Sequence, residues 1–479
     1  MSCKSVPMEM LKGESAYLWQ VSQSGYEVAI LQSDSQANRW SSTENNSSNA
    51  WNVNFGSGQF NNNNNKNNAF GVRPVVAYDT PFDFQTLVNA AFRDCCKGKR
   101  NSTACIDYCQ IANDDLPALA HELYTGTYRP GVSTCFLVKY PKYREVFAAC
   151  FRDRIVHHLL FLQLNPLFEQ RFIAQGNVSF NCRKGFGTRA AQMHAFECIR
   201  KATDNYRRKA WVYRGDIVSF FMSIDKRILW NKLDAFIKLN YSGPYLKVIL
   251  TVTRIVVFHC PEKKCVFNSP VEEWAEHVER EKSLFGVDDF HGMPIGNLTT
   301  QIFANFLMSF FDDFARLWFE SRRLPFYYAR FVDDFLVTCQ SKAALKRFAK
   351  DACVYLHERF QLKVHRHKYH FQLASHGVMF VGVYLKNGRM YLSNRVLARF
   401  LERVYGFNEM LLSKSVITIC DMLRMERVLN SYLGFCKGLH TYGLRRTLLS
   451  SFCPRFYEYF IIRNNYGCVN VRREMRLSA

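Results

Sequence analysis

At 479 residues the chain exceeds one domain of ~100–200 residues, so about two to four structural units are expected, and 48% hydrophobic residues supply their cores. Its 63 Lys and Arg against 41 Asp and Glu leave a formal charge of +22, which points to a polyanionic partner, nucleic acid before an acidic membrane surface. No run reaches the ~18 apolar residues of a spanning helix, the start MSCKSVPMEMLKGES has no apolar signal core, and 17 scattered Cys make no disulfide framework; a cytoplasmic protein with reduced thiols and no membrane contact is expected.

Residues 1–78 differ in kind from the rest, because Asn fills 13 of the 31 positions from Asn38 to Asn68. Such a stretch has little to bury, and its Trp, Phe and Gly residues suggest short strands and loops, a fragment of a small β-rich domain. From Pro81 the composition becomes globular, with helical periodicity in FDFQTLVNAAFRDCCK and DLPALAHELYTG. VFAACFRDRIVHHLLFLQLNPLFE reads as a long amphipathic helix that Pro166 closes. Then NCRKGFGT forms a basic loop in which Gly185 and Gly187 permit close backbone approach, while Arg183, Lys184 and Arg189 supply charge.

WVYRGDIVSFFMSID reads as a strand carrying Asp216 near its end, turning through Ser219 into a segment bearing Phe220 and Phe221. A mixed insertion at about 231–290 follows, then PIGNLTTQ, a Gly-Asn loop opening the apolar helix that runs through FLMSFFDDFARLWF. PFYYARFVDDFLVTC has aromatic and β-branched runs on both sides of an Asp pair, a hairpin with both carboxylates at its turn. The apolar weight around it makes adjacent carboxylates costly unless cations neutralise them. Cys260 and Cys265 are spaced too widely for a zinc knuckle, and the His residues of KVHRHKYH, interleaved with Lys and Arg, read as a basic surface strand.

Three Asp on neighbouring strands suit phosphoryl transfer, which needs two divalent cations ~3.5–4 Å apart to activate a primer hydroxyl and stabilise pyrophosphate. Mg2+, with Mn2+ as a substitute, favours such hard oxygen ligands. Asp216 and Asp333 are the expected bridging ligands, Asp334 the third, and the backbone carbonyl of Ile217 a further donor. Phe221, five residues beyond Asp216, stands where a bulky ring blocks a ribose 2′-hydroxyl. Lys368 is placed to reach the triphosphate or to protonate the leaving pyrophosphate.

Taken in order, RDRIVHHLL, NCRKGFGT, YRGDIVSFFMSID, PIGNLTTQIFAN, FVDDFLV, KVHRHKYHF and FVGVYL resemble the successive sequence blocks of reverse transcriptases over roughly residues 135–470. The resemblance implies an α+β right-hand polymerase with an antiparallel palm sheet: an N-terminal extension at 1–78, N-terminal helices and fingers at 79–210, a palm at 211–388 containing the insertion, and a helical thumb at 389–479. Phe331 stands where many relatives carry Tyr. It also implies a nucleotide site formed by Arg183, Lys184, Phe220, Phe221, Ile295, Gly296, Gln301 and Lys368.

Group II intron and retron enzymes usually have Gln before the Gly of PIGNLTTQ and Pro at its end. Ile295 and Gln301 at those places resemble the enzymes of diversity-generating retroelements, whose common form is IGNLTSQ; Thr300 departs mildly. The resemblance implies RNA-directed DNA synthesis that misincorporates opposite template adenines to diversify a target gene. The implied partners are template RNA, RNA–DNA hybrid, deoxynucleoside triphosphates and a small basic accessory variability protein. The Asn-rich start agrees with translated template repeat, since randomising both adenines of an Asn codon leaves a final C or T and creates no stop. A reverse transcriptase of another bacterial lineage, in antiphage defence, a retron or an intron, is the alternative within the class. A non-catalytic RNA-binding scaffold is the alternative outside it.

Overall fold

The computed structural model describes residues 80–477 apart from 140–141 and 366–369, together with the backbone of three strands in the Asn-rich region. Those strands, β1 (Asn38–Glu44), β2 (Asn49–Asn54) and β3 (Gln59–Asn65), pair antiparallel in the order β1-β2-β3. The described residues up to Gly131, with 149–160 and 242–256, form one compact unit; 132–148, 161–241 and the described residues from Val257 onward form a second.

In the first unit α1 (Phe82–Cys96) and α2 (Thr103–Thr125) make an antiparallel pair. Pro117 lies inside α2, and Gly126 ends it in the left-handed conformation that a C-terminal glycine supplies without strain. Phe84, Val88, Ala91, Leu119 and Leu123 are buried here with Ile155 and Leu159. Charge pairs surround this core: Arg152 forks Asp115 and Glu122 at 2.9 and 2.7 Å, and His158 meets Asp94 at 2.8 Å.

The second unit begins with β4 (Ser133–Val138) and β5 (Arg144–Ala148), and α3 (Phe151–Ala174) follows them in the chain. Two sequence expectations are corrected here. Val146 and Phe147 belong to β5, because they pair with Phe136 and Cys135 of β4 and precede the helix. Pro166 does not end the helix, which continues to Ala174. The hydrogen bond lost at proline is offset by the packing beyond it, where the Phe168 ring lies 4.7 Å from Phe306 and 5.7 Å from Phe236.

In chain order next come α4 (Thr188–Ala202), β6 (Trp211–Gly215), α5 (Phe220–Ser223), α6 (Lys226–Asn240), α7 (Leu246–Phe258), whose residues up to Val256 belong to the first unit, β7 (Cys265–Phe267) and α8 (Glu272–His277). β7 adds to β4 in parallel, so a strand from within the expected insertion completes the sheet β5-β4-β7. The chain continues through α9 (Leu298–Glu320), β8 (Tyr327–Phe331), β9 (Asp334–Cys339), α10 (Lys342–Phe360) and β10 (His370–Leu373).

The central sheet has the order β10-β6-β9-β8 and is antiparallel throughout. Alternation along its strands gives it two buried faces. Val212, Leu336 and Ala329 pack with Ala191, Ala195 and Ile199 of α4. Tyr213 and Phe335 face the helices behind, Phe335 lying 4.9 Å from Phe311 of α9 and Tyr213 lying 6.4 Å from Phe348 of α10.

A small sheet of β11 (Val378–Phe380), β12 (Val383–Lys386) and β13 (Arg389–Leu392) packs into the α4 side of this core. The C-terminal part has a separate apolar cluster, formed by α11 (Asn394–Ser413), α12 (Ile419–Cys436), α13 (Tyr442–Ser450) and α14 (Pro454–Tyr459) with the hairpin β14 (Phe460–Arg463) and β15 (Cys468–Val471). A capping box starts α12, with Thr418 and Asp421 each satisfying the other's backbone N–H. Among the described residues no helix is long and apolar enough to cross a membrane.

Candidate active site

The hairpin β8–β9 closes through two residues, Val332 and Asp333, with Phe331 paired to Asp334. Val332 has φ 60°, a conformation costly for a β-branched residue and one that tight hairpin turns usually assign to Asn or Gly. What holds it is Arg330, which is fully buried. One guanidinium nitrogen donates to the Val332 carbonyl at 3.0 Å and to Asn305 Oδ1 at 2.9 Å; the others donate to Asp312 at 2.7 and 2.6 Å. Tyr328 also donates its hydroxyl to Asp312 at 2.7 Å. A cationic side chain in an apolar strand therefore pins the turn to α9.

On the neighbouring strand Asp216 follows directly after β6. Gly215 before it pairs with Phe335, and a Cβ on Gly215 would overlap the Phe335 ring. The small residue thus lets β6 and β9 close up beside the carboxylates. The chain beyond Asp216 is held by two backbone bonds, His365 N to Asp216 O and Val218 N to Lys363 O, both 2.8 Å. These bonds flank the bridge of Ile217 to Val364, so neither engages the Ile217 carbonyl.

Asp216 and Asp333 interact electrostatically. Burial first, and then the charge of Asp216, push the Asp333 carboxyl up to about 7, with Asp334 adding to the rise and Arg144 opposing it. A buried carboxyl raised by a neighbouring carboxylate belongs to a hard-oxygen set suited to divalent cations.

Asp334 is arranged differently. Arg214 lies opposite Leu336, which makes Asp334 its diagonal neighbour on the same face of the sheet. The guanidinium forks the carboxylate at 2.7 and 2.8 Å, a partly buried bidentate pair. Asp334, the expected third ligand, thus differs from the expected bridging pair: both its oxygens are engaged by Arg214, whereas Asp333 feels the charge of Asp216.

The expected nucleotide residues divide into groups. Phe221 and Ile295 pack on one apolar cluster with Phe147, Met222 and Trp274, and Met293 N donates to Phe221 O at 2.8 Å. Phe147 N donates to Ile295 O at 2.8 Å; Gly296, at φ 125°, comes so near that strand that a Cβ would sit 2.7 Å from Phe147 O. Gln301, exposed in the first turn of α9, accepts from the Cys182 thiol at 2.9 Å, which ties the NCRKGFGT loop to that helix. Lys184 is exposed on the same loop.

Two of the expected nucleotide residues, Phe220 and Arg183, are turned inward. Phe220 is buried. Arg183 is buried too, forking Glu169 at 2.9–3.1 Å and donating to Ser179 O at 2.8 Å and Asn177 Oδ1 at 2.7 Å, so all its nitrogens serve the loop's own structure. Lys368 lies outside the described residues. Sequence reading also passed over Arg214 and the Arg330–Asp312–Asn305 group. A charge inside each of the apolar runs WVYRG and YYARF was the available signal, since a buried guanidinium demands partners.

Residues 139–385, a little over half of the chain, match the model of the family described as reverse transcriptase (RNA-dependent DNA polymerase). No curated protein sequence matches the chain. Among solved structures, a telomerase from Candida albicans in complex with a TWJ fragment of telomeric RNA is similar at 12% identity and a TM-score of 0.39, over 71% of this chain and 57% of that one. An apo telomerase from Candida tropicalis is similar at 12% identity and a TM-score of 0.40, over 69% and 63%. The chain thus spans less than two thirds of the length of either telomerase. On the family match across its central sheet and carboxylate hairpin, the chain belongs to the reverse transcriptase family.

Proposed function

We propose that the chain is an RNA-directed DNA polymerase with Asp216 and Asp333 as the cation-holding carboxylates of its active site. The observation that carries the reading is their juxtaposition at the end of β6 and the turn of β8–β9, where Asp333 is pushed up to about 7. Divalent Mg2+ bound there would activate the primer 3′-hydroxyl and stabilise the pyrophosphate leaving group. The Ile217 carbonyl adds a neutral donor. Asp334 acts through Arg214, fixing the β6–β9 register rather than taking a full share of the cations. Phe221, braced by the cluster that holds Ile295, excludes a ribose 2′-hydroxyl, and Lys184 and Gln301 approach the incoming nucleotide from the loop and α9. Residues 79–210 would supply N-terminal helices and fingers, 211–388 the palm and 389–479 the thumb, with template RNA and RNA–DNA hybrid held by phosphate and 2′-hydroxyl contacts.

Within this class we assign the chain to diversity-generating retroelements, on Ile295 and Gln301 of PIGNLTTQ. An apolar Ile where related enzymes present a hydrogen-bonding Gln loosens the hold on the nucleotide. The reading includes a small basic accessory protein as partner. Sequencing the complementary DNA made on cognate RNA tests it: substitutions concentrated at template adenines, and reduced in Ile295→Gln, are expected. Faithful copying at adenines would leave a reverse transcriptase and remove the diversification role.

A further inference from the structure

In the first unit, away from the carboxylates, three thiols converge where α1 meets α2. Cys96 is the last residue of α1, Cys105 the third of α2, and Cys109 lies one turn further along the same face of α2. Their sulfurs all lie within 4.8 Å of one another, and Cys96 and Cys105 are 3.5 Å apart. A tetrahedral ion with ~2.3 Å metal–sulfur bonds needs sulfurs about 3.8 Å apart, so small rotamer changes bring this set to a metal's spacing. A disulfide at ~2.0 Å is not formed between them.

We infer that Cys96, Cys105 and Cys109 bind one soft divalent cation of the zinc class, clasping the α1–α2 hairpin. Cys96 and Cys105 are buried and Cys109 is exposed, which gives the ion an entry side and leaves its fourth position to water. Thiolates are the ligands, so each bound ion displaces protons from the thiols and no electron transfer is involved. Burial first, then the hydrogen bond with Cys105 and the neighbouring sulfurs, push the Cys96 thiol up to about 12. A divalent cation reverses that balance, and Arg100, which favours the Cys109 thiolate, assists it. Among the described residues this is the one His, Cys, Asp and Glu group with metal-ligand spacing. Its soft ligands differ in kind from the hard oxygens near Asp333, so the two sites select different ions.

The test uses the full chain, purified under reducing conditions and loaded with Zn2+ or Co2+. About one zinc per chain resisting dialysis, and a cobalt spectrum with thiolate charge-transfer absorption, are expected. Both should be lost in Cys96→Ser and Cys109→Ser and kept in Cys420→Ser and Asp333→Asn. Cys109 is exposed, so its variant is expected to keep the far-ultraviolet dichroism of the parent. Absence of a thiolate band in the reduced parent, or its survival in the Cys96→Ser variant, would overturn the assignment.

Discussion

Arg330 donates to the carbonyl of Val332 at 3.0 Å, across the turn that presents Asp333. The contact joins a strained backbone position to a buried ion pair, so the placement of the half-buried Asp333 carboxylate depends on a charge in the core. Breaking such a pair by removing one partner typically costs about 3–5 kcal/mol, since the other is left buried and uncompensated. Arg330→Met should therefore lower the melting temperature of the full chain sharply by stranding Asp312. The double variant Arg330→Met/Asp312→Leu should recover much of that loss. Recovery of melting temperature without polymerase activity would separate stabilising the fold from positioning the turn.

The Arg214–Asp334 fork predicts an order among the carboxylates. Asp216→Asn and Asp333→Asn should each reduce RNA-templated primer extension by about a thousandfold or more, the several kcal/mol carried by the cation site. Asp334→Asn should retain part of the activity, and Arg214→Gln should resemble it, because either change opens the same pair. Single-turnover rates measure this order; equal losses in all three Asp variants would contradict it.

Phe221 is held by its cluster and by the bond from Met293 N to its carbonyl. Phe221→Ala should raise the ratio of ribonucleotide to deoxynucleotide incorporation by about tenfold or more, equal to ~1.4 kcal/mol or more of discrimination. Competitive incorporation on one template provides the ratio. An unchanged ratio would reduce Phe221 to a packing residue.

The rise of the Asp333 carboxyl to about 7 gives a pH dependence with a definite sign. An acid raised above its ordinary ~3.9 holds more protons in the folded than in the unfolded protein between those values, so stability without metal falls as pH rises through that window. Bound cation opposes the fall, and its apparent affinity should weaken as pH drops through 7 because a proton must be displaced. Thermal melts with chelator and with Mg2+ across this range should diverge as pH rises, and the divergence should vanish in Asp333→Asn.

Much of the site was legible in the sequence because charge is conspicuous against apolar strands: GDIVSFF and FVDDFLV announce Asp216, Asp333 and the hairpin through composition alone. Pairings that depend on register were not legible. Arg214 reaches Asp334 only because β6 and β9 pair with Arg214 opposite Leu336, and nothing local to WVYRG shows that. Arg183 looked available in a glycine loop, yet Glu169 from α3 takes its guanidinium. The proline rule failed at Pro166 because aromatic packing beyond it outweighed one lost hydrogen bond. The three thiols went unnoticed since CC, an eight-residue gap and CIDYC meet only when α1 and α2 fold against each other.

The central claim is tested most directly by RNA-templated primer extension with the full chain, beside Asp333→Asn, each with its RNA affinity measured in the same buffer. Deoxynucleotide incorporation that requires Mg2+ or Mn2+ and falls to background in Asp333→Asn, with RNA affinity unchanged, is the predicted result. Incorporation by Asp333→Asn at the parent rate, or RNA binding by the parent with no synthesis under any priming condition, would contradict it.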